Sequence, residues 1–211
     1  METLVSSGKK MIFHNYLEML LGSRVKIMVL RVLWKYRGKE FTIRELSRFL
    51  GVSHTGIRKV LGELEKTNVV VLRTVGKSYT VRLNTKSYAA SIIDRVFEAE
   101  SKTLTELLET IRKRLESPTV VSAVLFGSVA EGMEAPGSDI DLFIVTDHRE
   151  KVEEMVARLQ MDISEKFGNT VSAYYISREE LEKRQKEQLV KQVLREHVPV
   201  CGKPLSEVLC Q

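Results

Sequence analysis

The residues of this chain best suited to chemistry lie between positions 127 and 141. Gly127 and Ser128 close the apolar run "VVSAVLF". Ten residues later Asp139 and Asp141 stand one residue apart in "DIDLFIV". Alternate side chains of a strand share a face. Both carboxylates therefore lie on one side of such a strand, with Ile140 and Leu142 on the other. Two like charges so placed repel unless something positive sits between them. Hard carboxylate oxygens suit Mg²⁺, or Mn²⁺ in its place, which takes few protein carboxylates and completes its shell with substrate phosphates. Gly127 lets the backbone approach a triphosphate, and the amides that follow, with the Ser128 hydroxyl, are donors for phosphate oxygens. The pattern reads as a site for a metal-bound nucleoside triphosphate, with Asp139 and Asp141 as metal ligands and catalytic carboxylates.

The surrounding elements must hold these groups together. "TVVSAVLF" predicts a buried strand, "VAEGM" a short helix, "APGS" a turn and "DIDLFIV" a second strand. "HREKVEEMVARLQMDISEKFG" predicts an amphipathic helix with Val152, Val156, Leu159, Ile163 and Phe167 on its buried stripe. "TVSAYYIS" predicts a third strand. Ser177 and Glu180 then open a helix that is expected to run through "LEKRQKEQLVKQVLREH". Strands alternating with helices fit an α/β sheet with helices packed on it.

An apolar residue, Gly-Ser, about ten residues, and Asp-x-Asp between apolar residues resembles the DNA-polymerase-β-like nucleotidyltransferase superfamily, and within it the small minimal type. Ala130, Gly132 and Ser138 fit the same pattern, and the resemblance implies that Ser138 joins Gly127 and Ser128 at the nucleotide. It implies Mg²⁺-dependent transfer of a nucleotide from a nucleoside triphosphate to a hydroxyl. Two positions depart from the family. Its third strand usually bears a third carboxylate that holds metal and deprotonates the acceptor. The matching position falls near Ser172, and "NTVSAYYIS" contains no acid. Glu131 stands where an Arg is common. Glu179 and Glu180 lie just beyond the strand as candidate substitutes. Loss of a base weakens catalysis more than binding. Some minimal nucleotidyltransferases act as the antitoxin beside a HEPN-type protein, so the resemblance also implies such a partner.

The first half of the chain has a different character. Residues 1–95 carry 18 Lys and Arg against 7 Asp and Glu, a charge of +11, and the remainder carries 15 against 21, a charge of −6. A basic half beside an acidic one implies two domains with different partners, the basic one suited to a polyanion. Ser23 caps a helix over "RVKIMVLRVLWKY". Thr42 and Glu45 form a capping box for a short helix, Gly51 stops it, and Ser53 caps a second helix with Ile57, Val60, Leu61 and Leu64 on its apolar face. That is a helix-turn-helix. "VVVLRTVGKSYTVRLN" adds two strands around Gly76-Lys77. The combination, over residues 23–85, resembles the winged-helix regulators. The resemblance implies that His54, Thr55, Arg58 and Lys59 face the major groove of double-stranded DNA while Arg73 and Lys77 reach phosphates. Winged helices also serve as protein–protein modules, and that reading stays open. A helical stretch, 86–117, joins the halves, with a new cap at Ser101. Its Ile92, Ile93, Val96 and Phe97 are either core or a homodimer seam.

The expected fold class is therefore α+β in two domains: an N-terminal winged helix-turn-helix and a C-terminal nucleotidyltransferase α/β sheet with helices packed on it. The expected boundaries are an N-terminal helix over 1–22, the winged helix over 23–85, the linking helix over 86–117 and the nucleotidyltransferase-like domain over 118–211. Two functions follow, a nucleotidyltransferase and a DNA-binding regulator or antitoxin-like protein whose second domain is a nucleotide sensor or partner-binding module. No apolar run reaches the ~20 residues a membrane span needs. Cys201 and Cys210 have no Cys or His cluster around them, which suits free thiols in a cytoplasmic protein.

Overall fold

A computed structural model describes residues 17–76 and 78–209. The chain divides into two compact units, Met1–Lys102 and Thr103–Gln211. Helices and two separate sheets make the fold mixed α and β.

The first unit contains α1 (Leu17–Leu21), α2 (Arg24–Lys35), β1 (Phe41–Thr42), α3 (Ile43–Leu50), α4 (His54–Lys66), β2 (Val70–Val75), β3 (Ser78–Leu83) and α5 (Tyr88–Ser101). Short polar side chains begin its helices, because the first turn leaves N–H groups unpaired. The Ser23 hydroxyl accepts from Lys26 N, that of Ser53 from Gly56 N, and that of Ser87 from Ala90 N. Thr42 and Glu45 complete a reciprocal capping box on α3, and Gly51 ends that helix at φ 65°. The strands form an antiparallel sheet in the order β1-β3-β2. Leu30, Leu33, Leu46, Ile57, Leu61, Leu64, Val81 and Ile93 form the centre of the core. From α5, Ile93 and Phe97 are buried in this core, and Phe97 meets Trp34 at 5.5 Å between ring centres.

The second unit contains α6 (Thr103–Leu115), β4 (Ser122–Phe126), α7 (Gly127–Glu131), β5 (Ile140–Val145), α8 (Arg149–Phe167), β6 (Val171–Ile176), α9 (Arg178–Lys183), α10 (Gln188–Arg195), β7 (Val198–Gly202) and α11 (Leu205–Val208). The sheet order is β6-β5-β4-β7. β5 and β6 are parallel, joined by α8 as a crossover, and the other pairs are antiparallel. Alternation along β5 splits the core. Ile140, Leu142 and Ile144 pack with Leu115 of α6 and with Leu159 and Ile163 of α8. Phe143 and Val145 pack with Leu181 of α9, Val190 and Val193 of α10, and Leu205 of α11.

The stretch 86–117 is two helices, α5 in the first unit and α6 in the second, parted at Lys102 next to the new cap expected at Ser101. Two other expectations change in detail. The single helix expected after Ser177 is α9 and α10, interrupted by a turn at 184–186. β7, which the sequence reading did not anticipate, forms one edge of the sheet. Of the helix expected over 1–22, residues 1–16 lie outside the described residues. Among the described residues no helix is long and apolar enough to cross a membrane.

Candidate functional site

β5 is flanked by both strands that build the acidic site. Asp141 is registered against Phe126 on β4, immediately before Gly127, and against Ser172 on β6. The Asp141 carboxylate is half-buried and lies on the backbone of Gly127. A β-carbon built on Gly127 would stand 2.4 Å from Asp141 Oδ2, and Gly127 has φ +74°. Glycine meets both demands, absence of a side chain and left-handed backbone. α7 begins at Gly127 with no side chain capping its first turn. Ser128 lies in that turn and is half-buried.

Asp139 precedes β5 and is exposed. The Thr170 hydroxyl donates to its Oδ1 at 2.5 Å. Ser172 stands beside Asp141 on the neighbouring strand. Burial pushes the Asp141 carboxyl above its ordinary range, the Asp139 charge pushes it the same way, and the neighbouring Ser172 hydroxyl opposes both. The two carboxylates thus share the repulsion expected from the sequence, and two hydroxyls from one strand end partly offset it. Thr170 is a contributor that sequence reasoning missed. The loop before β6 is fixed by Asn169 Nδ2 donating to Ser138 O at 2.9 Å and by Val171 N donating to Gln160 Oε1 at 2.6 Å. The Ser138 hydroxyl accepts from Ala135 N at 3.0 Å and so closes the turn before Asp139.

Among the described residues no group of three or more His, Cys, Asp or Glu gathers to hold a metal ion. Glu180 is taken up by its capping box, accepting from Ser177 N at 2.9 Å. Glu179 pairs with Lys183. Glu131 lines a cavity of about 430 Å³ with Ala130, Met133, Glu196, His197 and Val198. Asp139 and Asp141 offer two hard carboxylate donors, a set that fits Mg²⁺ when phosphates supply the remaining ligands.

In the first unit His54, Thr55, Arg58 and Lys59 are all exposed on the first half of α4. The Arg58 guanidinium lies 5.3 Å from the centre of the Tyr79 ring on β3. Arg73 on β2 is exposed and shares Glu40 with Arg82 and Thr80. Lys77 lies outside the described residues.

Residues 104–201 match the family model of the nucleotidyltransferase domain. The match includes Gly127, Ser128, Asp139 and Asp141, so the resemblance read from those residues holds at the level of the domain. Two solved structures similar to this chain come from toxin–antitoxin systems. One, a toxin–antitoxin with AMP-PNP, is 18% identical with a TM-score of 0.35, covering 49% of this chain and 81% of that one. The other, a mutant MntA-HpeT toxin–antitoxin, is 12% identical with a TM-score of 0.31, covering 50% of this chain and 80% of that one. No curated protein matches the chain.

Proposed function

We propose that the second unit is a nucleotide-binding module with little transfer activity, joined to a winged helix that binds double-stranded DNA. The observation that carries the first part is the pairing of Asp141 with Ser172, where an acid would complete a catalytic set. Asp139 and Asp141 would hold Mg²⁺ or Mn²⁺, and Gly127 and Ser128 would receive the phosphates of a nucleoside triphosphate. The bound metal supplies charge to neutralise the phosphates and polarise the phosphorus under attack. The chain's own residues bind and orient. Gly127 keeps the approach to Asp141 open, Thr170 just before β6 holds Asp139, and Ser172 on β6 stands beside Asp141. A serine hydroxyl is far too weak a base to deprotonate an acceptor. Losing a general base typically costs about 10² to 10⁴ in rate, while metal and phosphate contacts survive.

The helices α2, α3 and α4 and an antiparallel sheet in the order β1-β3-β2 support the winged-helix reading of the first unit, together with the exposed basic residues on α4. Charge in this half supplies salt-dependent attraction to DNA, and α4 supplies groove contacts. A regulator of this kind couples nucleotide level to DNA occupancy, and a HEPN-type protein is a candidate for its further partner. Calorimetry with each of the four nucleoside triphosphates tests the nucleotide reading. Binding should require Mg²⁺ or Mn²⁺ and vanish in Asp141→Asn, and label transfer to protein or RNA in a cell extract should stay near background. Robust metal-dependent transfer abolished by Asp139→Asn would make the protein a working enzyme instead.

A further inference from the structure

The second unit has a concavity apart from the paired aspartates. A cavity of about 440 Å³ runs along α10, lined by Lys186, Gln188, Lys191, Gln192, Arg195 and Glu196. Lys191 and Arg195 are four residues apart on one helix, which places them about 6 Å apart along its axis. Gln188 and Gln192 have the same spacing, and Lys186 extends the row from the turn before the helix. The nearest cations in sequence are neutralised: Lys183 by Glu179, and Arg184 by Glu187 through two hydrogen bonds. Among the described residues Lys186, Lys191 and Arg195 have no ion-pair or side-chain hydrogen-bond partner. Three cations and a single carboxylate, Glu196 at the end of α10, line the groove.

We infer that this groove is a binding site for the phosphate backbone of a single-stranded nucleic acid. A lone phosphate would be held by cations converging on one point. These are set out in file, which suits a chain of regularly spaced charges. The lining also decides between a nucleic acid and an acidic protein. Protein partners bind through an apolar centre with aromatic or other large anchors, and among the described residues no apolar side chain lines this groove. Lys and Arg beside amide side chains are the groups that hold phosphate and sugar. Glu196 also borders the cavity lined by Ala130 and Glu131 of α7. The assignment of the groove stands on its own charge and lining, and survives if the aspartate site proves to bind no nucleotide.

The test uses the full chain and fluorescent single-stranded dodecamers of uridylate and of thymidylate, because a major-groove reader requires a duplex. Binding is followed by anisotropy from low to moderate salt. Each phosphate contact contributes about 0.7 to the slope of log affinity against log salt on a single strand. The triple variant Lys186→Gln, Lys191→Gln, Arg195→Gln should lose about 2 from that slope, with affinity down on the order of tenfold or more. The charge-retaining variant Lys186→Arg, Lys191→Arg should keep the wild-type slope, and unchanged melting temperatures would show that both variants are folded. Binding of either dodecamer supports the site, and the preferred one identifies RNA or DNA as its source. A wild-type slope in the glutamine variant overturns the inference. So does poly-glutamate displacing the dodecamers at equal charge concentration, which would assign the groove to an acidic protein.

Discussion

Asp141 and Ser172 stand side by side on parallel strands, and the serine favours the charged form of the carboxylate. Replacing Ser172 with Asp would put a third carboxylate against a half-buried one. Without metal, the added repulsion should lower the melting temperature. With millimolar Mg²⁺ and a nucleoside triphosphate, Ser172→Asp should gain more thermal stability than the wild type, because ligand that binds only the folded state stabilises it. Scanning calorimetry with and without metal checks this. An equal or smaller gain would show that position 172 does not face the metal.

Gly127 predicts a contrast between two glycines of similar backbone. Gly127 and Gly168 both have positive φ, +74° and +77°, but only at Gly127 would a β-carbon strike a neighbour, the Asp141 carboxylate. Alanine at either position costs about 1–2 kcal/mol from left-handed backbone alone. Gly127→Ala should in addition displace Asp141 and abolish metal-dependent nucleotide binding. Gly168→Ala should melt lower yet bind as the wild type does, a difference that calorimetric titration resolves.

Tyr79 holds Arg58 over its ring. Such a contact is worth about 0.5–1 kcal/mol at an exposed site, or about two- to fivefold in affinity. Tyr79→Ala should weaken duplex DNA binding by that factor, and Tyr79→Phe should restore it. Equal loss in both would assign the effect to the phenol hydroxyl.

The capping box of α3 gives a pH prediction. Hydrogen bonds from the Thr42 backbone and hydroxyl hold the Glu45 carboxyl below its ordinary value of 4.5. A carboxyl depressed by folding stabilises the protein above its unfolded value, and that contribution is lost as pH falls through the folded one. The melting-temperature gap between wild type and Glu45→Gln should therefore be full at pH 7 and close below pH 4.5. Thr42→Ala should cost about 1 kcal/mol at neutral pH.

Much of this architecture was legible because local chemistry and tertiary packing agree. Ser23, Thr42 and Ser53 cap helices as their types require, and the apolar residues of α4 and α8 bury as their spacing predicts. The paired aspartates were visible through alternation with Ile140 and Leu142. Thr170 was not, because its role depends on the register of β6 against β5, which α8 sets across 31 residues (Asp139 to Thr170). β7 escaped notice for a related reason. Pro199 argues against a strand in isolation and is tolerated only because β7 is an edge. The break at 184–186 has no Gly or Pro to mark it.

β7 also sets an order of assembly during synthesis. β4, whose end delivers Gly127, lies between β5 and β7, with Leu125 registered against Val198 and Val124 against Pro199. Translation runs from the N-terminus, and domains form as they emerge. The helices and sheet of the first unit can close while the ribosome is still far from the end of the message. The strand that seats Gly127 gains its second neighbour only when Val198–Gly202 has left the exit tunnel. A premature stop before codon 198 would thus release a chain whose first unit is whole but whose β4 is left as a raw sheet edge.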